Sequence, residues 1–121
     1  MNSKKTLVLG ASENPERYSN KAIHRLRIHN HPVVAIGNRA GKVEDVEIIK
    51  EHPPIEDIDT VTLYLNPANQ KPYYDYIISL KPERIIFNPG TENDELERLA
   101  VKAGIKVQEA CTLVLLGTGQ Y

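Results

Sequence analysis

Short apolar runs alternate with longer amphipathic stretches along this chain. Continuous apolar character over a few residues is typical of strands that are covered on both faces. Such runs predict strands at residues 6–9, 33–36, 60–65, 84–87 and 105–107, with a short, weak one at 46–49. The strands are therefore expected in the interior of a layered domain.

Apolar residues at helical spacing fill most of the intervals between these strands. A first helix is predicted to begin near residue 19 or 20, a second to run to about Leu80, and a third to follow a cap at Asn93 or Asp94. Residues 10–18, 37–42, 66–69 and 88–91 are predicted loops. Alternating strands and helices predict an α/β fold, a Rossmann-like doubly wound and mainly parallel sheet, in a single three-layer domain over residues 1–121.

The tight turn after the first strand is a candidate ligand contact, because ligands of doubly wound folds bind at the carboxyl ends of the strands. Gly10 permits a positive φ or a close backbone approach, Ala11 is small, and Ser12 offers a hydroxyl and an amide. Arg17 in the following loop is a candidate cation for a diphosphate. Strand, glycine turn and helix together predict a phosphate site, whereas a plain strand–loop turn is the alternative.

The exit of the second strand narrows the choice of nucleotide. A Rossmann domain that binds NAD needs an acidic residue here for the ribose 2′-hydroxyl. This chain has Asn38 and Arg39 there, followed by Lys42, and the next carboxylate in the sequence is Glu44. A positive charge suits a ribose that carries its own phosphate. The pattern favours coenzyme A or NADP over NAD, the alternative being that both cations are simply solvated.

Two later strand exits carry asparagine and proline, at Asn66–Pro67 and at Asn88–Pro89–Gly90. Asparagine side chains in such loops can cap a following helix or bind a ligand. For the asparagine of each loop taken alone, capping the following helix is the preferred role.

Composition and charge limit the partners. The 121 residues suffice for one domain with its own core, and 40% hydrophobic with 26% charged residues is ordinary for a globular protein. A net charge of −1 gives no reason to expect nucleic acid or a membrane surface. The single Cys111 excludes an internal disulfide, and the first residues show no signal segment, so a cytoplasmic location is expected.

Catalytic groups are hard to find in this sequence. The four histidines show no metal-ligand spacing, so no metal site is predicted. Cys111 precedes an apolar run, which favours a buried structural thiol, although an NADP-dependent reductase or a CoA-linked enzyme using Cys111 stays open. The apolar residues 113–116 predict either core or an interface with a second copy or a partner subunit, which leaves a protein-interaction module as a third alternative.

The segments together resemble the small CoA-binding-domain proteins, which are similar to the N-terminal domain of the succinyl-CoA synthetase α subunit. The shared motifs are Gly-Ala-Ser-x-Asn-Pro-x-Arg at 10–17, Asn-Arg-x-Gly at 38–41, Asn-Pro at 66–67, Asn-Pro-Gly at 88–90 and Glu-x-Cys at 109–111. The resemblance runs from about Lys5 to Cys111. The synthetase keeps its phosphohistidine in a further domain, so the resemblance implies binding of CoA or acyl-CoA and no ligase activity.

The resemblance also implies a role for each loop. The turn at residues 10–12 would hold the CoA diphosphate, with Arg17 and Ser19 nearby, and Arg39 or Lys42 would meet the 3′-phosphate. The family usually has Asn-Pro before its basic residue, where this chain reads Gly-Asn-Arg-Ala at 37–40. The residues implied along the adenine and pantetheine path are Tyr64, Leu65, Asn66, Pro67, Asn88, Pro89 and Gly90.

Overall fold

A seven-stranded sheet lies at the centre of the computed structural model, which describes residues 3–121. The strands are β1 (Thr6–Leu9), β2 (Val33–Ile36), β3 (Gly41–Val43), β4 (Val46–Ile49), β5 (Thr60–Leu63), β6 (Arg84–Phe87) and β7 (Lys106–Glu109). The helices are α1 (Tyr18–Ile28), α2 (Pro67–Gln70), α3 (Tyr74–Ser79), α4 (Asp94–Lys102) and α5 (Thr112–Gly117), with a 3-10 turn, Lys71–Tyr73, between α2 and α3. Among the described residues, no helix combines the length and the apolar character needed to cross a membrane.

The strand order is β3-β4-β2-β1-β5-β6-β7, and every neighbouring pair is parallel except β3 with β4. From β1 the chain first builds outward through β2 and then returns to add β5 on the other side. The sheet therefore has a topological switch point beside β1, where ligands of open α/β sheets bind. The predicted Rossmann-like doubly wound fold is confirmed.

Two apolar clusters cover the two faces of the sheet, because successive side chains of a strand point to opposite faces. Leu7 and Leu9 of β1 pack in the cluster that contains Ile77 of α3 and Leu96 of α4. Val8 packs in the other cluster, which contains residues of α1 and α5. All of β1 is thus buried, which explains its continuously apolar sequence.

An edge strand replaces part of a predicted loop. Residues 37–42 were expected to be irregular, but β3 pairs antiparallel with β4 through a tight turn at Glu44 and Asp45. Helix α1 holds this turn: Arg27 donates two hydrogen bonds of 2.9 Å to the Asp45 carboxylate, and His24 lies 2.8 Å from Glu44. Lys42 consequently lies in a strand, not in a mobile loop.

One further expectation is corrected, and one open alternative is decided. The predicted loop 66–69 is mostly helix α2, since Asn66 accepts a hydrogen bond from the Asn69 amide and Pro67 occupies the first turn. The apolar segment 113–116 forms most of α5, in which Leu115 and Leu116 are buried in this chain's own core and Val114 is exposed. Core packing therefore accounts for most of the apolar character of that segment.

Candidate functional site

Six strands of the sheet run parallel, so their carboxyl ends and the loops that follow meet at one edge. The predicted site residues at residues 10–17, 37–42, 64–67 and 88–90 all follow strands of this edge or lie next to it. The structure thus brings these four segments to the edge that contains the switch point.

The glycine turn after β1 serves backbone packing. Gly10 has a φ of +97°, and a Cβ built on it would lie 3.0 Å from the backbone carbon of Tyr64. The amides of Gly10 and Ala11 both donate 2.9 Å hydrogen bonds to the Ile36 carbonyl. The β2 strand therefore already satisfies these two amides. The anion-binding capacity of the turn shifts to Ser12 and the loop beyond.

The exits of β1 and β2 touch each other. Gly37 follows β2, and a Cβ there would overlap the carbonyl oxygen of Ala11. The absence of a side chain at Gly37 lets the two turns lie side by side. A ligand bound at one turn would therefore also meet the other.

Hydrogen bonds within the loop after Ser12 hold its shape. The Ser12 hydroxyl accepts from the Asn14 amide at 3.1 Å, and the Asn14 side chain accepts from the Glu16 amide at 2.9 Å. The buried Asn20 side chain donates to the Ser12 carbonyl at 3.1 Å and ties the loop to α1. The loop thus has a defined shape, with Ser12 half-exposed at its start.

Helix α1 begins directly at this loop. Its N-cap residue Arg17 is extended and makes no side-chain hydrogen bond to the helix, and the first turn contains no acidic residue. The positive end of the helix dipole at such a terminus favours an anion. The side chain of Arg17 is exposed, whereas Ser19 is buried.

The cations after β2 differ in their surroundings. Asn38, Arg39 and Lys42 are exposed. The pKa of the Asp45 carboxyl is lowered, chiefly by its hydrogen bonds from Arg27, and Lys42 adds a smaller attraction. Arg39 has neither an ion pair nor a side-chain hydrogen bond within residues 3–121. The Lys42 side chain likewise forms no ion pair or hydrogen bond within these residues, so both cations are available to a ligand.

The structure also places Glu13, which the sequence analysis missed, at this exit. One Glu13 carboxylate oxygen accepts the backbone N–H of Lys42 at 2.9 Å. A Cβ on Gly41 would overlap the Glu13 side chain, so the contact depends on that glycine. A carboxylate thus lies where the sequence predicted none before Glu44. Gly41 is the only local hint of this contact in the sequence, because Glu13 is distant along the chain.

The asparagine after β6 is structural. Asn88 is 3% exposed, and its side-chain amide donates to the Thr62 hydroxyl at 2.7 Å and to the Leu63 carbonyl at 2.9 Å. Its side-chain oxygen accepts the Thr112 amide at 2.9 Å, at the start of α5. Asn88 therefore caps α5, which is not the helix that follows it in sequence, while Pro89 and Gly90 beyond it are exposed.

The exit of β5 mixes buried and exposed groups. Tyr64 and Leu65 are half-buried, and burial raises the pKa of Tyr64 to about 12. The Tyr64 hydroxyl lies near Thr62 and Thr112 but completes no hydrogen bond within the described part of the chain. Asn66 is engaged as the cap of α2, and Pro67 is exposed in its first turn. This tyrosine stays protonated at neutral pH.

The Cys111 thiol and a cluster of three carboxylates bear on catalysis and on metal binding. Cys111 is half-buried at the N-cap of α5, and neither a histidine nor a carboxylate of residues 3–121 hydrogen-bonds its thiol. Carboxylate oxygens of Asp94, Glu97 and Glu109 lie within 4.8 Å of one another. Burial and the neighbouring Glu109 raise the pKa of Glu97 to about 7. This carboxylate cluster was not predicted, because it joins α4 to the end of β7.

Comparison with known proteins assigns the family. The family described as CoA binding domain matches residues 4–117, while a search of curated proteins found no match. A solved structure of an uncharacterized protein is 50% identical over the whole of both chains, with a TM-score of 0.97. A protein from Thermus thermophilus (20% identity, 98% of this chain and 91% of that one, TM-score 0.86) shares the fold. A hypothetical protein from Pyrococcus horikoshii also shares the fold. It is 24% identical over 93% of this chain and 81% of that one, with a TM-score of 0.81. The chain belongs to the CoA binding domain family, which confirms the resemblance to the small CoA-binding-domain proteins.

Proposed function

We propose that this chain binds coenzyme A or an acyl-CoA across the carboxyl edge of the sheet, beside the switch point, and performs no reaction on it. The observation that carries the proposal is the exposed, unpaired Arg39 at the exit of β2 in a chain of the CoA binding domain family. Arginine suits a ribose-bound phosphate because its guanidinium forms paired, charge-assisted hydrogen bonds with phosphate oxygens.

The residues of the edge fit a CoA molecule. The half-exposed Ser12 and the uncapped start of α1 provide hydrogen-bond donors and a positive dipole for a diphosphate, with the exposed Arg17 beside them. Arg39 and Lys42 provide positive charge for the 3′-phosphate. The half-buried Tyr64 and Leu65 offer apolar surface to the adenine or the pantetheine arm.

A binding role without chemistry is supported by how the polar side chains of the edge are used. Asn66 and Asn88 hold helices, and Asn20 holds the loop after β1. Tyr64 keeps its proton at neutral pH because burial raises its pKa to about 12. Acid–base catalysis needs a group that titrates near the working pH, which Tyr64 does not do. Glu97, whose pKa is raised to about 7, lies by the end of β7, three strands away from β1.

Calorimetric titration with CoA, dephospho-CoA and NADP tests the proposal. CoA should bind, and more tightly than dephospho-CoA, because only CoA carries the 3′-phosphate. Arg39→Glu should weaken CoA binding about tenfold or more, the equivalent of losing one charged hydrogen bond, and change dephospho-CoA binding by less than about twofold.

The matched control is Arg98→Glu, at an exposed position of α4 whose charge change is the same. It should leave both affinities unchanged within about twofold. The absence of heat and of a thermal shift at millimolar CoA would refute the proposal. Tighter binding of NADP than of CoA would replace it with the NADP alternative.

A further inference from the structure

The contact between Glu13 and β3 lies where a ribose phosphate would be recognised. Glu13 accepts the Lys42 amide at 2.9 Å, and its side chain fills the space above Gly41. Neither Lys42 nor Arg39 forms an ion pair with this carboxylate within residues 3–121. The backbone amide of an edge strand thus holds an anion supplied by the chain itself.

A carboxylate and a phosphate compete for such an amide, because both are anionic oxygen acceptors. They also repel each other when placed side by side in one site. A ribose hydroxyl, in contrast, can donate a hydrogen bond to a carboxylate, as it does to the acidic residue of NAD-binding domains. The charge of Glu13 therefore opposes a phosphorylated ribose and tolerates an unphosphorylated one.

We propose that Glu13 is an internal competitor of the ribose phosphate and sets how strongly this protein prefers CoA over dephospho-CoA. The inference rests on the proposed function. Without ligand, the Glu13 carboxylate occupies the Lys42 amide. The 3′-phosphate of CoA displaces it and gains Arg39 and Lys42, so the preference for CoA is smaller than these two cations alone would give.

The first test measures the ratio of CoA to dephospho-CoA affinity by calorimetry in the wild type and two variants. Glu13→Gln should raise this ratio about tenfold, since the amide removes the opposing charge and keeps the size. Glu16→Gln is the matched control: it removes the same charge from the same exposed loop, and only the backbone amide of Glu16 is hydrogen-bonded there. It should change the ratio by less than about twofold.

The second test follows the Lys42 amide by NMR with 15N-labelled protein. Glu13→Gln should shift this signal, because the acceptor of the Lys42 N–H changes from a carboxylate to an amide, whereas Glu16→Gln should leave it in place. CoA should move the Lys42 signal far more than dephospho-CoA does. Both measurements report directly on the contact and not on any activity.

The outcomes separate the two proposals. If neither nucleotide binds the wild type, the proposed function fails and the role of Glu13 fails with it. If both bind but Glu13→Gln leaves the ratio unchanged, or shifts it no more than Glu16→Gln, CoA binding stands and Glu13 is only a cap on the edge strand.

Discussion

At the scale of single residues, small side chains decide how closely the loops of the edge approach one another. Gly10 brings the end of β1 against Tyr64, and Gly37 brings the end of β2 against Ala11. Gly41 makes room for Glu13. The loops after β1, β2 and β5 therefore lie close together, although they come from distant parts of the sequence.

Substitution of Gly10 measures how much this approach contributes. Gly10→Ala should lower the free energy of unfolding by about 2–4 kcal/mol, because the side chain is strained at φ +97° and also lies 3.0 Å from the Tyr64 backbone. Gly104→Ala is the control, since Gly104 has a φ of +82° with open space around it. It should cost about 1 kcal/mol. Urea unfolding gives both values, and equal losses would mean that the crowding at Tyr64 is relieved.

At the scale of elements, the buried Asn88 fixes α5 to the sheet. Asn88→Asp keeps the acceptor for Thr112 but turns both donors into a buried carboxylate that faces the Leu63 carbonyl. The variant should lose about 3 kcal/mol, since burying a charge against a carbonyl oxygen is costly. Asn66→Asp is the control and should change stability by less than about 0.5 kcal/mol, because aspartate caps an exposed helix as well as asparagine. Equal losses in urea unfolding would contradict the structural role of Asn88.

At the scale of elements, burial and length decide which strands and helices could be predicted from the sequence. Strands buried on both faces, such as β1 and β5, are continuously apolar and were located well, although β5 ends two residues earlier than expected. Strand β3 has three residues, too few for any periodicity, and α2 depends on Asn66 and Pro67, which are equally common in loops.

The candidate site was predicted only in part. The loops that build it follow recognisable strands, so their residues could be named in advance. The contact between Glu13 and Lys42 and the bonds of Asn88 join segments that are far apart along the chain. Such contacts follow from the assembled sheet and leave no local pattern.

At the scale of the whole molecule, two titratable groups oppose each other in their effect on stability. His31 is buried, and its Nδ1 accepts the Lys4 amide at 2.9 Å. Its pKa is lowered below the usual 6.5, first by burial and then by the charges of His29, Lys4 and Arg84, against a weaker effect of Asp59. The unfolded chain therefore binds a proton that the folded one rejects, and stability falls as the pH drops below about 6.5.

Glu97 acts in the opposite direction. Burial first, and then Glu109, Asp94 and Glu92, raise its pKa from 4.5 to about 7. The folded protein therefore holds a proton that the unfolded chain releases. Its contribution to stability is complete below about pH 4.5 and is lost as the pH rises through 7. Just below pH 6.5, the slopes of stability against pH due to His31 and Glu97 therefore have opposite signs.

Removing each group in turn should tilt the pH profile of the whole molecule. Glu97→Gln should raise the free energy of unfolding more at pH 8 than at pH 5, whereas Glu95→Gln, in the same first turn of α4, should not. His31→Asn keeps an acceptor for the Lys4 amide without a titrating ring, so its stability relative to wild type should be greater at pH 5 than at pH 8. The two effects should add in the double variant, because the groups share no hydrogen-bond partner. Urea unfolding at pH 5, 6.5 and 8 measures the wild type and all four variants, and parallel profiles would show that neither group is linked to folding.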